Sequence, residues 1–313
     1  MPREVYLQPE AADPVLTSAD VLALARRHVP AAHAVVSVDE TGGEARTYLI
    51  SADGEELIVK VQRPQQLRPR TSREKEVCFL RQLAELAPDL PVPRVRGYGR
   101  ESELLEYTVM TRMPGVAMRR ATLDADQRDG VLWELGRMLR RIHTLPQASF
   151  LASGLFPGDY AFPALQMRLG EAFSDLAARQ TERPGAFSRP VDEIGRRVLR
   201  SLPRTQERAA LHSNPYREHV FVDPVTGRFV GLIDFGDAYI SHPAFDLRRW
   251  HLPAERNALL AGYTADQPVS DAFRAVWRAV MILIDATALV HATLDLAHAA
   301  SVEEDLAALL AEL

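Results

Sequence analysis

The stretch 211–246, LHSNPYREHVFVDPVTGRFVGLIDFGDAYISHPAFD, is dense in polar residues that local structure does not require. Two short apolar runs, 219–223 and 229–233, are joined by Asp223-Pro224-Val225-Thr226-Gly227 and read as a hairpin. The second run ends in Ile233-Asp234-Phe235-Gly236-Asp237. A carboxylate directly after a buried strand and before a glycine is aimed into a cleft, where it can hold a metal that bridges phosphates. Asp234 can also simply cap a turn, because Asp-Phe-Gly is a short string. His212, His219, His242 and His251 crowd the same region and raise a transition-metal reading, but their spacing matches no zinc pattern.

Such side chains need elements to position them. Residues 17–28 read as a helix opened by Thr17 or Ser18, with Asp20 at its positive end and Pro30 closing it. Strand-like pieces follow at 34–38, 47–50 and 57–61, with turns at Gly42-Gly43 and Asp53-Gly54. A charged helix spans about 72–86, then Pro88, Pro91 and Pro93 lead into an extended stretch. Leu105–Met113 reads as another strand, stopped by Pro114-Gly115. Beyond it, 124–145, 161–180, 190–201 and most of the chain from 253 read as helical. A β-rich first third and a helical remainder make the fold α+β with two lobes. The expected division is an N-terminal nucleotide lobe, 1–113, and a helical C-terminal lobe, 114–313, carrying the catalytic loop and acceptor pocket.

Composition narrows the function classes. The chain has 313 residues, 47% hydrophobic and 25% charged, enough for one large core or two lobes around a cleft. A formal charge of -5 carries no electrostatic footprint for nucleic acid. Arginine pairs such as Arg119-Arg120, Arg140-Arg141 and Arg196-Arg197 read as solvated helix faces. The single cysteine, Cys78, excludes an internal disulfide and reads as a buried helix position. No apolar run is long enough to span a membrane, and the first ten residues lack a signal-peptide core, so the expected compartment is the cytoplasm.

The order of these segments resembles the aminoglycoside phosphotransferase and choline kinase group, which shares the protein-kinase fold. The similarity covers about residues 17–250. It runs through Leu57-Ile58-Val59-Lys60-Val61, Arg73-Glu74-Lys75-Glu76, Pro91-Val92-Pro93, Val109 to Gly115, Leu139 to His143, Ile233 to Asp237 and His242-Pro243-Ala244-Phe245-Asp246-Leu247. The resemblance implies a bilobal kinase-like fold and an ATP- or GTP-dependent phosphotransfer supported by Mg²⁺ or Mn²⁺. Lys60 would neutralise the α- and β-phosphates, with Glu74 holding it; the plain reading of Lys60 is a protective edge-strand lysine. Gly42 and Gly43 would let backbone approach phosphate. Met110, Thr111 and Met113 would face the base, Met110 serving equally well as core. Asp234 would hold the metal. His212 would order the catalytic loop, and Asp246 would support it.

Two positions depart from the family's pattern. His212-Ser213-Asn214 stands where His-Gly-Asp is expected, and His219 stands where the loop asparagine, a metal ligand, is expected. Asn214 cannot take a proton at neutral pH, and loss of general-base help costs about 10²–10⁴-fold in rate. Phosphoryl transfer depends mainly on positioning and charge, so Asn214 can still orient a hydroxyl. Magnesium prefers oxygen ligands, whereas imidazole suits softer ions. Three readings stay open: a small-molecule O-phosphotransferase, a pseudokinase that binds nucleotide or ligand without transfer, and nucleotidyl transfer on the same fold. For the acceptor, residues 150–205 are not acidic, which argues against a polycation. Phe150, Phe156, Tyr160, Phe162 and Phe173 suggest a partly apolar acceptor, most of them serving equally well as core.

Overall fold

The structure is a computed structural model that describes residues 6–68, 72–156, 162–182, 189–204, 207–250, 252–291 and 296–313. Helix α1 (Ser18–Arg26) opens on Thr17, whose hydroxyl accepts from the Asp20 amide while the Asp20 carboxylate accepts from the Thr17 amide. That reciprocal pair satisfies two donors the helix would otherwise leave free. Strands β1 (Ala32–Asp39), β2 (Ala45–Ala52) and β3 (Glu55–Gln62) follow, then helix α2 (Arg73–Leu86) capped by Ser72. Strands β4 (Val95–Ser102) and β5 (Leu105–Thr111) complete an antiparallel sheet in the order β1-β2-β3-β5-β4. The extended stretch after Pro93 is therefore an edge strand. Val21 and Leu24 of α1 share a buried cluster with Ile50, Leu57, Val59 and Val109 of the sheet.

The chain leaves the sheet through Pro114-Gly115. Gly115 has φ of 79°, and a Cβ there would lie 2.3 Å from the Val222 carbonyl oxygen, so glycine is required twice over. Strand β6 (Val116–Ala117) then joins a second, three-stranded sheet. Helices α3 (Ala125–Thr144), α4 (Ala148–Ala152), α5 (Phe162–Glu182) and α6 (Val191–Ser201) precede β7 (Ala209–Leu211). Strands β8 (Val220–Val222) and β9 (Phe229–Leu232) form the expected hairpin, beside β6. Strand β10 (Tyr239–Ser241) pairs with β7, and α7 (Pro253–Thr264), α8 (Asp271–His291) and α9 (Leu296–Ala311) complete the helical part. No helix among the described residues is long and apolar enough to cross a membrane.

The main core joins the helices to the site. Phe79 of α2 meets Phe150 and Phe235 at ring-centroid distances of 4.9 Å each, and Phe156 at 5.7 Å. Of the two readings of Phe150, Phe156 and Phe173, the structure bears out core: all three are buried, where their apolar area is worth more packed than wet. The side chains of Tyr160 and Phe162 lie outside the described residues.

Candidate active site

Between the five-stranded sheet and the helical part lies a cleft of about 760 Å³. It gathers Gly42, Gly43, Lys60, Met110, Thr111 and Met113 from the sheet with Asn214, His219 and Asp234 from the loops around β8 and β9. Residues spread over nearly two hundred positions of sequence thus share one surface. Glu74 and His212 do not line it.

Lys60 stands on β3 opposite Thr47 and Thr108. Its ammonium donates to Glu76 Oε1 at 2.7 Å and to Asp234 Oδ1 at 2.9 Å. Burial alone would lower its pKa, but the Asp234 and Glu76 carboxylates outweigh that and hold it above the ordinary lysine value. The expected partner, Glu74, is therefore replaced by Glu76. Residues two apart on a helix diverge by about 200°. The buried Val77, Phe79, Leu80 and Leu83 define the inward face, which carries Glu76, whereas Glu74 is exposed. The 76-79-80-83 spacing of the helix marks Glu76, and not Glu74, as the acid on the inward face.

Glu76 also accepts from Arg73 Nη1 at 2.6 Å, and Arg73 donates through Nε to Gln62 at 3.1 Å. A Cβ on Gly236 would stand 2.9 Å from Arg73 Nη2, so glycine there admits the guanidinium. Arg68 bridges Glu44 and Asp237, the latter at 3.0 Å. One ionic chain thus ties the Gly42-Gly43 loop, α2 and the segment after β9 together. Arg68, Arg73, Glu44 and Asp237 were not expected in these roles, since short-range sequence patterns do not reveal pairing across the fold. Arg119 and Arg120, expected on a solvated face, line the cleft, and Arg120 reaches toward Asp39 at 3.9 Å.

Neither Gly42 nor Gly43 has a positive φ, and a Cβ on Gly43 would meet nothing within 4 Å. Gly43 therefore has room for a side chain, whereas a Cβ on Gly42 would stand 3.0 Å from the Ala45 carbonyl oxygen. Met110 is both core and cleft wall, being nearly buried and lining the cavity.

The loop that carries Asn214 is built on Asp246. Its carboxylate accepts from the amides of His212 and Ser213 at 2.7 Å each, and His143 Nε2 is 3.0 Å away. Burial would raise its pKa, but the bond and charge of His143 together with those of His212 outweigh it and hold the carboxyl below the usual range. His212 is fully buried, so it acts on the site at one remove. Its Nε2 meets the Ile233 carbonyl at 2.8 Å, and its Nδ1 accepts from the Asn214 amide at 3.2 Å. Those partners fix a neutral tautomer, in keeping with the downward pKa shift that burial imposes. His242 caps the turn after β10, its Nδ1 accepting from the Ala244 amide at 3.2 Å.

Asp234 itself has φ of 72°. Non-glycine residues rarely adopt that conformation, and they cluster at sites where orientation matters. Burial would raise its pKa, but Lys60 first and His219 next hold it well below the ordinary carboxylate value. His219 Nε2 lies 3.2 Å from Asp234 Oδ2. Among the described residues, no group of three His, Cys, Asp or Glu side chains gathers as a metal cage. His251 lies outside the described residues, and a dedicated zinc cluster has no support here.

Residues 35–281 match the family model described as the phosphotransferase enzyme family. The chain belongs to that family. It is 27% identical over 147 residues to an aminoglycoside 3'-phosphotransferase of Streptomyces fradiae, covering 47% of this chain and about half, 52%, of that relative. Among solved structures, the macrolide 2'-phosphotransferase of Brachybacterium faecium superposes with a TM-score of 0.56, over 94% of this chain and 97% of that one, at 20% identity. The GDP complex of aminoglycoside 2'-phosphotransferase-IIIa does so with a TM-score of 0.57, over 95% and 99%, at 15% identity. These likenesses establish a bilobal, kinase-like α+β fold.

Proposed function

We propose that this family member transfers the γ-phosphoryl group of ATP or GTP to a hydroxyl of a small molecule, an antibiotic or a metabolite. The observation that carries the reading is the buried Lys60–Glu76 pair, with Asp234 on the same ammonium and Lys60 and Asp234 lining one cleft. A strand lysine fixed by a helix glutamate is the arrangement that holds α- and β-phosphates in kinase-like sites. The relatives named above act, by their names, on aminoglycosides and macrolides and, in one case, are complexed with GDP.

Each residue has a defined task in this reading. Met110, Thr111 and Met113 wall the cleft where the base would sit. Lys60 neutralises phosphate charge, and Glu76 keeps its ammonium aimed. Asp234, with His219 beside it, fits a divalent metal, since its Oδ2 is turned from Lys60 toward the His219 ring. Such a metal, when bound, neutralises charge developing on the β- and γ-phosphate oxygens. Asn214 lines the cleft and orients the acceptor hydroxyl, leaving the proton to solvent or phosphate. Slow turnover follows, because general-base help is worth about 10²–10⁴-fold.

The pseudokinase reading rests on Asn214, which cannot accept that proton, and on His219 in place of the loop asparagine. The nucleotide site that both readings share is tested by calorimetry with ATP and GTP on the wild type and Lys60→Ala. The phosphotransferase reading requires nucleotide binding that is lost in the variant; equal affinities remove Lys60 from the site.

A further inference from the structure

Most cations lining the cleft meet a carboxylate. Lys60, Arg68 and Arg73 do so in the ionic chain, Arg112 at Glu56 and Arg120 at Asp39. Arg119 and Arg249 are different. Both line the cleft and both are exposed. Among the described residues, neither side chain has a hydrogen bond or an ion pair.

The backbone sets both arginines beside the loop that carries Asn214. Arg119 lies in the turn Met118–Arg120 after β6, and its amide donates to the Arg217 carbonyl at 3.0 Å. Arg249 ends the 3₁₀ turn Pro243–Arg249, three residues after Asp246. Side chains three apart in such a turn share one face, and on that face Asp246 accepts from the Ser213 amide. The next residue, Trp250, donates its indole N–H to the Pro215 carbonyl at 2.8 Å. Residues 213–217 are thus flanked by one arginine from β6 and another from the turn after β10.

The charge here is uncompensated. Arg249 opens onto the cleft, but burial by the cleft walls first, and Arg248 next, pull its pKa below the ordinary arginine value. The carboxylate that acts on it, Asp237, is already bound by Arg68 at 3.0 Å. Among the cleft acids, Glu218 alone has no partner among the described residues, one carboxylate against two guanidiniums. That balance disfavours a polycation. It suits an oxyanion, which a guanidinium holds through two parallel hydrogen bonds. We propose that the acceptor is an anion, a hydroxylated small molecule whose carboxylate or phosphate is held by Arg249 and Arg119 while its hydroxyl lies at Asn214. The proposal deepens the phosphotransferase reading above and rests on it.

The test first titrates a non-hydrolysable ATP or GTP analogue into the wild type, Arg119→Gln, Arg249→Gln and Arg249→Lys. All four should bind it alike. Saturation-transfer NMR on the analogue complexes then measures the affinity of hydroxy acids, sugar phosphates and aminoglycosides. The wild type should bind one of the two anionic sets at least about 10-fold more tightly than the aminoglycosides, and the set that binds tells carboxylate from phosphate. Each glutamine variant should lose about 10-fold of that affinity. Arg249→Lys, which keeps the charge without the fork, should lose less. Both positions are exposed, so the variants should unfold at the wild-type temperature. A preference for aminoglycosides, no anion binding in the wild type, or anion binding unchanged in both glutamine variants overturns the proposal and leaves the nucleotide site standing. Weaker analogue binding with anion affinity intact overturns it too, by placing the guanidiniums on the triphosphate. A wild type that binds no nucleotide overturns the phosphotransferase reading, and this proposal with it.

Discussion

Ser213, held at φ of 82°, donates its amide to Asp246 Oδ1 at 2.7 Å. The residue before Asn214 thus sits in a conformation that glycine adopts freely and serine does not. A buried carboxylate keeps it there. This one contact explains how the loop retains its path with Ser213 where the family pattern has glycine.

Ser213→Gly should be neutral to stabilising, by up to about 1 kcal/mol, since relief of the left-handed backbone is partly offset by a looser unfolded chain. Ser213→Val should cost about 2 kcal/mol. Urea unfolding of the two variants measures both. Equal stabilities would mean the conformation carries no strain.

Asp246→Asn should destabilise by about 3 kcal/mol, because three donors lose a charged acceptor in a fully buried position. The same replacement should weaken phosphotransfer more than it weakens nucleotide affinity, as the loop and not the lysine is disturbed. Paired unfolding and calorimetric measurements separate the effects.

Glu76→Gln should cost about 3 kcal/mol of stability and at least about 10-fold in nucleotide affinity, since it uncouples both Lys60 and Arg73. Glu74→Gln should change neither, its side chain being exposed. Calorimetry on the two variants distinguishes the pairs. A large loss in the Glu74 variant alone would restore the original assignment.

Much of this was legible beforehand. The strand at 57–61 around Lys60, the charged helix from about 72 and the apolar run before Asp234 were all readable as elements near the cleft. Local rules sufficed because each of those residues lies at the end or on one face of a single element. The Glu76 partner was missed by choosing an acid by distance along the chain instead of by helical face. Arg68, Arg73 and Glu44 were missed for a different reason: their partners lie on other elements, and no periodicity records that. His242 had no assigned role, and only the folded backbone reveals it as a turn cap.

His242 gives a pH prediction. Burial first, and His143 next, push its pKa down to about 3. The native state therefore resists protonation that the unfolded chain accepts near 6.5. Its contribution is present above about pH 6.5 and is lost as pH falls toward 3. His242→Asn keeps an acceptor for the Ala244 amide and should flatten stability across that window. Parallel curves for the two proteins would remove His242 as the source.

Asp285 has the opposite sign. Burial raises its pKa to about 6, with Arg256 only partly opposing it. The native state holds this proton more tightly than the unfolded chain, so its contribution is full below about pH 4 and is lost as pH rises through 6. The loss amounts to about 3 kcal/mol. Asp285→Asn should remove that slope, and the stability difference from the wild type, followed by urea unfolding from pH 4 to 7, measures it. A difference that stays constant over the range would contradict the assignment.

The phosphotransferase reading is tested most directly by mass spectrometry of hydroxylated acceptors, aminoglycosides and macrolides included, after incubation with ATP or GTP and Mg²⁺, Mn²⁺ or Co²⁺. The wild type should add one phosphoryl group to at least one acceptor, Asp234→Asn should not, and Asn214→Asp should accelerate transfer by up to about 10²–10⁴-fold. Tight nucleotide binding with no phosphorylated acceptor, in the wild type and in Asn214→Asp alike, would contradict the account and leave a nucleotide-binding pseudokinase in its place.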